Sequence, residues 1–128
     1  MPVELISAKQ VLRERLERDP EFRAEWERTA LARAVSVALV KYRADHGLSQ
    51  RQLAKQLRMP QPQIARLEVG EYNPSVETLQ RLARGLDQRF IVAVIPASKT
   101  DELDPPKGVE VLTDIVLSDG SRLLAAAG

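Results

Sequence analysis

The 128-residue chain contains no cysteine and a single histidine. The first absence excludes disulfides and thiolate metal sites, and it fits a reducing cytoplasm. The second removes the usual base of a nucleophilic site: His46 has neither a nucleophile nor a second base at recognisable spacing, so it reads as structural. There is no glycine-rich phosphate loop, and the Asp and Glu residues of the N-terminal segment read as helix-face charges. No enzyme, cofactor or metal is therefore expected. Aromatics are only 4% of the chain against 44% hydrophobic residues, so the core must be built of Leu, Val, Ile and Ala, which favours small helices. No apolar run approaches the roughly 18 residues of a membrane span. The opening MPVELISAKQ lacks a basic stretch followed by an apolar one, so neither a membrane segment nor a signal peptide is expected.

Net charge is also nearly absent, at +1, but it is unevenly placed. Residues 1–40 balance at seven basic and seven acidic groups, and residues 71–98 at three each. Residues 41–70 carry Lys41, Arg43, Arg51, Lys55, Arg58 and Arg66 against Asp45 and Glu68, a net +4, and residues 99–128 are net −3. A polyanion is drawn to the central stretch and repelled by the tail.

What is there is helical patterning. Ser7 to Gln10 has the form of a capping box, and Leu5, Leu12 and Leu16 recur behind it at helical spacing. Asp19-Pro20-Glu21 restarts a helix, with Asp as cap and Pro in the first turn. Phe22 and Trp26 follow four apart in a highly charged segment. They either pack on the chain's own core or anchor a partner protein, since aromatic anchors dominate interfaces. Leu31, Val35, Leu39 and Tyr42 form one continuous helical face, ended at His46-Gly47. Ser49 to Gln52 is a second capping box, opening a helix with Leu53, Ala54 and Leu57 inside. Arg58-Met59-Pro60 breaks it. The next helix begins at about Gln61 and tolerates Pro62 in its first turn, with Ile64 and Leu67 inward and Gln61, Gln63 and Arg66 outward. After the turn at Asn73-Pro74, Ser75 caps a helix striped by Val76, Leu79, Leu82, Ala83 and Leu86, with Gly85 and Asp87 as its end.

The period then changes. Phe90, Ile91, Val92, Ala93, Val94 and Ile95 form a β-branched run stopped by Pro96, expected to be buried on both faces or paired with a second copy of the chain. Residues 97–107 read as a linker, and 109–117 as a second strand that offers Phe90–Ile95 an alternative partner within the monomer. Asp119-Gly120 marks a hairpin turn, and Leu123 to Gly128 is a return strand or a frayed tail.

Several of these features share one register: Gly47-Leu48-Ser49-Gln50, Leu53-Ala54, Ile64-x-x-Leu67-Glu68, Gly70, Pro74 and Leu79-x-x-Leu82-Ala83. In that register residues 30 to 87 resemble the helix-turn-helix domain of phage repressors, Cro proteins and Xre-type regulators. With Asp19-Pro20-Glu21-Phe22-Arg23-Ala24-Glu25-Trp26 in front and an apolar strand directly behind, the chain looks like antitoxins of the HigA type. These dimerise, bind their own operator and neutralise RelE-like (HigB-type) toxins that cleave mRNA on the ribosome.

The resemblance implies a mainly α chain: a five-helix repressor-like helix-turn-helix domain with an N-terminal helical arm and C-terminal β-strands. The expected divisions are 1–29 for the arm, 30–87 for the DNA-binding domain and 88–128 for a dimerising β-segment and tail. It makes Gln50 a phosphate contact at a helix N-terminus, where anions are favoured. Arg51 and Lys55 on the same helix join it. Gln61, Gln63 and Arg66 become base readers, Gln suiting adenine and Arg guanine. Arg43 and Glu68 match a structural salt bridge and are kept out of the contact set. Phe22 and Trp26 become toxin-binding residues, and Phe90, Ile91, Val92, Val94 and Ile95 a dimer strand. The implied partners are double-stranded operator DNA, a RelE/HigB-like toxin and a second copy of the chain, in the cytoplasm with no membrane. The alternative is a stand-alone Xre-family repressor without a toxin. Two departures stand out. Arg58 occupies a position where many relatives have Gly, which predicts a wide or strained turn. Pro62 replaces a polar residue and offers a base only apolar contact.

Overall fold

The computed structural model describes residues 7–99 and 104–128; Leu5 and part of the 97–107 linker lie outside them. Six helices come first: α1 (Ala8–Arg18), α2 (Pro20–Arg28), α3 (Ala30–His46), α4 (Gln50–Leu57), α5 (Gln61–Val69) and α6 (Val76–Leu86). Three strands follow, β1 (Phe90–Ile95), β2 (Glu110–Val116) and β3 (Arg122–Ala127).

Local chemistry sets the helix boundaries. The Ser7 hydroxyl accepts from the Gln10 amide, while the Gln10 side chain turns to Glu14 and leaves the box half closed. Asp19 ends α1, and its carboxylate accepts from the Phe22 amide to start α2. At the Ser49 cap the box closes in both directions, satisfying two amides that would otherwise lack partners. Two helices end on non-glycine residues in the left-handed region, Arg58 at φ 54° and Asp87 at φ 52°. For an L-residue this conformation costs about 1–2 kcal/mol.

The core joins four helices: Val35 and Leu39 of α3, Leu53, Ala54 and Leu57 of α4, Ile64 and Leu67 of α5, and Leu82 and Leu86 of α6, closed by Met59 from the turn. Each large side chain fully withdrawn from water contributes about 1.5–3 kcal/mol. Gly85 was expected, with Asp87, to end α6; Asp87 is the cap, but Gly85 lies within the helix, where a Cβ would overlap the Leu57 side chain. It is the close-approach point of α4 and α6. The helix count also differs from the five expected. Residues 30–87 hold four helices and the described part of the arm two more; a fifth helix after α6 is precluded because the β-branched run begins after a gap of only three residues and commits the chain to strand.

The sheet is antiparallel in the order β1-β3-β2. β1 therefore pairs with β3, from Phe90 opposite Ala127 to Ile95 opposite Arg122, and not with 109–117. β2 pairs with the other edge of β3, with an irregularity between Val111 and Thr113. The last strand is thus no frayed tail; Leu124 to Ala127 are all buried. β1, expected to be buried on both faces or paired with a second copy, is not buried on both faces: it is an edge strand with Val92 at 40% and Val94 at 68% exposure. α3 packs on β2 and β3, and its Ala30, Ala34 and Ala38, four apart and buried, form a small-residue stripe along it. The arm touches the β2–β3 turn, where the Arg23 guanidinium donates to the Ser118 hydroxyl at 3.1 Å and Ser118 to Glu27 at 2.7 Å. Burial works against the charge on Glu27, but Ser118 and Arg23 together hold its carboxyl below the ordinary value. No helix among the described residues is long and apolar enough to cross a membrane.

Candidate nucleic-acid interface

α4, the turn at Arg58–Pro60 and α5 present the N-termini of two helices close together. Gln50 opens α4 and Gln61 opens α5, and the Gln61 amide donates to the Gln50 side-chain oxygen at 3.1 Å. Gln50 in turn donates to Glu68 at 3.3 Å. Glu68 is held from the other side by Arg43, with Nε to Oε2 at 2.8 Å and Nη2 to Oε1 at 2.7 Å. A polar chain therefore runs Gln61–Gln50–Glu68–Arg43, exposed at Gln61 and nearly closed to water at Glu68, whose side chain is 6% exposed. Its buried end fixes its exposed end. The carboxylate raises the Arg43 guanidinium above its usual value, against the pull of burial, so Arg43 is committed to the pair and unavailable to an outside anion.

The other predicted residues divide by exposure. Arg51 and Lys55 stand exposed on α4, and none of the ion pairs among the described residues includes them. Arg66 is exposed, and its guanidinium lies over the Tyr72 ring at 4.8 Å. That contact limits the rotamers a long side chain must give up on binding. Gln63, expected to face outward, is only half exposed, and Pro62 presents an apolar surface beside it. From Gln50 to Arg66 the sequence contains no acidic residue, and the nearby Glu68 carboxylate is neutralised by Arg43. An exposed amide at the N-terminus of α5, beside cations of α4 that no carboxylate pairs, suits an anionic, hydrogen-bonding surface.

Two residues that sequence reasoning missed hold this surface in place. Tyr72 supports Arg66. Asn73, read only as a turn former, donates to the Arg28 carbonyl at 2.7 Å and accepts from the Ala32 amide at 3.1 Å. It thereby ties the loop after α5 to the junction of arm and domain. An Asn beside Pro signals a turn, but nothing in the linear sequence identifies a partner 41 residues away.

Phe22 and Trp26 lie outside the main core and close to each other, with ring centroids 5.9 Å apart. Each is covered by an arginine of the same chain: Arg15 lies 3.9 Å from the Phe22 ring centre and Arg33 lies 3.4 Å from that of Trp26. Arg33 also donates to the Trp26 carbonyl at 2.6 Å, and burial pulls its guanidinium below the usual value. Both rings remain half exposed, and an open groove of about 250 Å³ runs from them to Val69 and Glu71.

Comparison with known proteins agrees with this geometry. Residues 39–90 match the helix-turn-helix family model. The chain is 37% identical over 79 residues to antitoxin HigA1 of two Mycobacterium tuberculosis strains, CDC 1551 / Oshkosh and ATCC 25618 / H37Rv. The aligned region is 61% of this chain and 53% of each relative, so the chain spans about half the length of the curated relatives it matches. No solved structure is significantly similar to it. The matched segment is an Xre-type helix-turn-helix of the DNA-binding kind, carried in a chain whose sequence is similar to that of HigA antitoxins.

Proposed function

We propose that this protein is an antitoxin that binds its own operator as a homodimer and neutralises a RelE-like, mRNA-cleaving toxin. The observation that carries the DNA half is the polar chain from Gln61 to Arg43, which holds an exposed amide at the N-terminus of α5 by way of a buried ion pair. Gln61, Gln63 and Arg66 read base edges in the major groove, and Gln50, Arg51 and Lys55 contact phosphate. Two such helices one DNA turn apart need a two-fold axis. The edge strand β1 supports one: Phe90–Ile95 is uncharged, free on one edge, and exposes Val92 and Val94. Antiparallel pairing of Phe90, Ile91, Val92, Val94 and Ile95 with their copies would cover that edge.

The toxin half rests on the similarity to HigA1 and on the groove beside Phe22 and Trp26. One observation favours a stand-alone repressor instead: both rings already have arginine partners within the chain.

The deciding experiment pairs two assays. Gln61→Ala with Arg66→Ala should abolish preference for the DNA upstream of this reading frame over a shuffled duplex, while the dimer persists in sedimentation. Unchanged preference overturns the assignment of α5. Co-expression with the neighbouring reading frame should yield a complex that Phe22→Ala with Trp26→Ala dissolves. A neighbour that never co-purifies leaves the stand-alone repressor.

A further inference from the structure

Ion pairs among the described residues occupy Arg15, Arg23, Arg28, Lys41, Arg43 and Arg122. The cations of α4 and α6 are absent from that set. Arg51 and Lys55 run four apart along the exposed face of α4, and Arg58 continues from its C-cap. There the stripe meets Arg81 and Arg84 of α6 in an open depression of about 400 Å³, lined otherwise by Gln56, Leu57 and Gly85 and by no carboxylate. The depression is organised. Gln56 donates to the Gly85 carbonyl at 3.2 Å, joining the two helices, and Arg81 donates to the Arg58 carbonyl at 2.7 Å, which fixes one arginine across the other's backbone. Crowding like charges without a counter-charge is unfavourable in the free protein. It becomes favourable when a polyanion lies along them.

We propose that Arg58, Arg81 and Arg84 form a second phosphate-binding surface, continuous with Arg51 and Lys55, that carries the duplex backbone past the contacts of Gln50 and Gln61. This rests on the DNA-binding reading above and extends it to α6. The surface reads no sequence. It adds affinity, salt dependence and alignment of the protein on the duplex.

The test is the salt dependence of binding, measured on the duplex upstream of this reading frame and on a shuffled duplex of equal composition. Each lost phosphate contact lowers the slope of log affinity against log salt by about 0.9. Arg81→Ala with Arg84→Ala should therefore lower it by about 1.8, so that affinity lost between low and moderate salt shrinks roughly tenfold, with the preference for the upstream duplex intact. Arg84→Ala alone, which removes none of the hydrogen bonds described here, should give about half that change. Arg81→Lys with Arg84→Lys should keep the wild-type slope, because the charge is kept. An unchanged slope in the alanine variants overturns the second surface while leaving the α5 assignment standing. Loss of poly-glutamate binding with no change in slope would reassign the depression to acidic protein and overturn it as well. If the wild-type chain binds neither duplex, the DNA-binding reading and this extension fall together.

Discussion

Arg43 grips Glu68 through two parallel hydrogen bonds at 2.7 and 2.8 Å, fastening α5 to α3. The same guanidinium donates to the Leu48 carbonyl at 3.2 Å, at the entrance of α4. One side chain thus aligns three helices. Glu68→Gln should cost about 1–3 kcal/mol, because it leaves a partly desolvated guanidinium without its counter-charge. Thermal unfolding will read this as a drop of about 4–8 °C per kcal/mol for a domain of this size. Replacing both partners by apolar residues, Arg43→Met with Glu68→Leu, should destabilise less than Glu68→Gln alone. An unshifted midpoint in Glu68→Gln would show the pair to be a bystander.

Arg58 sits at φ 54°, so Arg58→Gly should relieve left-handed strain and raise stability by about 1 kcal/mol. The same change removes a cation from the α4–α6 stripe. Melting and DNA titration should therefore move in opposite directions: a higher midpoint and a weaker complex. A midpoint that falls would mean the Arg58 side chain supports the turn in a way its exposed position does not show.

Trp26 and Phe22 lie outside the main core. Their replacement by Ala should loosen the arm, about 1–2 kcal/mol per ring for half-buried surface and arginine stacking, while the helix-turn-helix stays folded. Hydrogen exchange should speed up in α1 and α2 and stay slow in α4 to α6. Uniform loss of protection would place the aromatics in the cooperative core after all.

Asp114 and Arg122 form a cross-strand pair at 2.7 Å. Hydrogen bonds from Arg122 hold the Asp114 carboxyl below its ordinary value of 3.8. A depressed folded-state value stabilises the native state above the unfolded value and is lost as pH falls through the folded one. Asp114→Asn should thus melt slightly below wild type at pH 7, by a few tenths of a kcal/mol for so exposed a pair, and the gap should narrow as pH falls below about 4, closing only beneath the depressed folded-state value. A gap that stays constant as the pH is lowered through the acid range would point to packing, not charge.

The helical part of this fold was legible because each helix carries its own instructions. Ser7, Ser49 and Ser75 each start a helix with a side-chain bond three residues on, and apolar stripes such as Leu31–Tyr42 repeat at one period. The sheet was less legible. β1, β2 and β3 could be recognised as β-rich, but their order depends on pairings across long separations, and Leu123 to Ala127 have too little β character to announce a central strand. The candidate site followed the same division. Gln50, Gln61 and Arg66 could be placed by register, whereas the Tyr72 support, the Asn73 bridge and the meeting of Arg58 with Arg81 and Arg84 exist only after folding.

Neither β1 nor β2 touches the other except through β3, and β3 comes after both in the sequence. During synthesis at about 5–20 residues per second, the uncharged Phe90–Ile95 segment waits a second or more for its complement. For that interval it is an open, adhesive edge. The helical domain upstream can fold in the meantime, since its core contains no residue of β2 or β3. Loss of Arg122–Ala127 would return β1 to that exposed state and would also uncover part of the α3 face that packs on the sheet. β3 is then a late seal on a helical domain whose own core is complete without it.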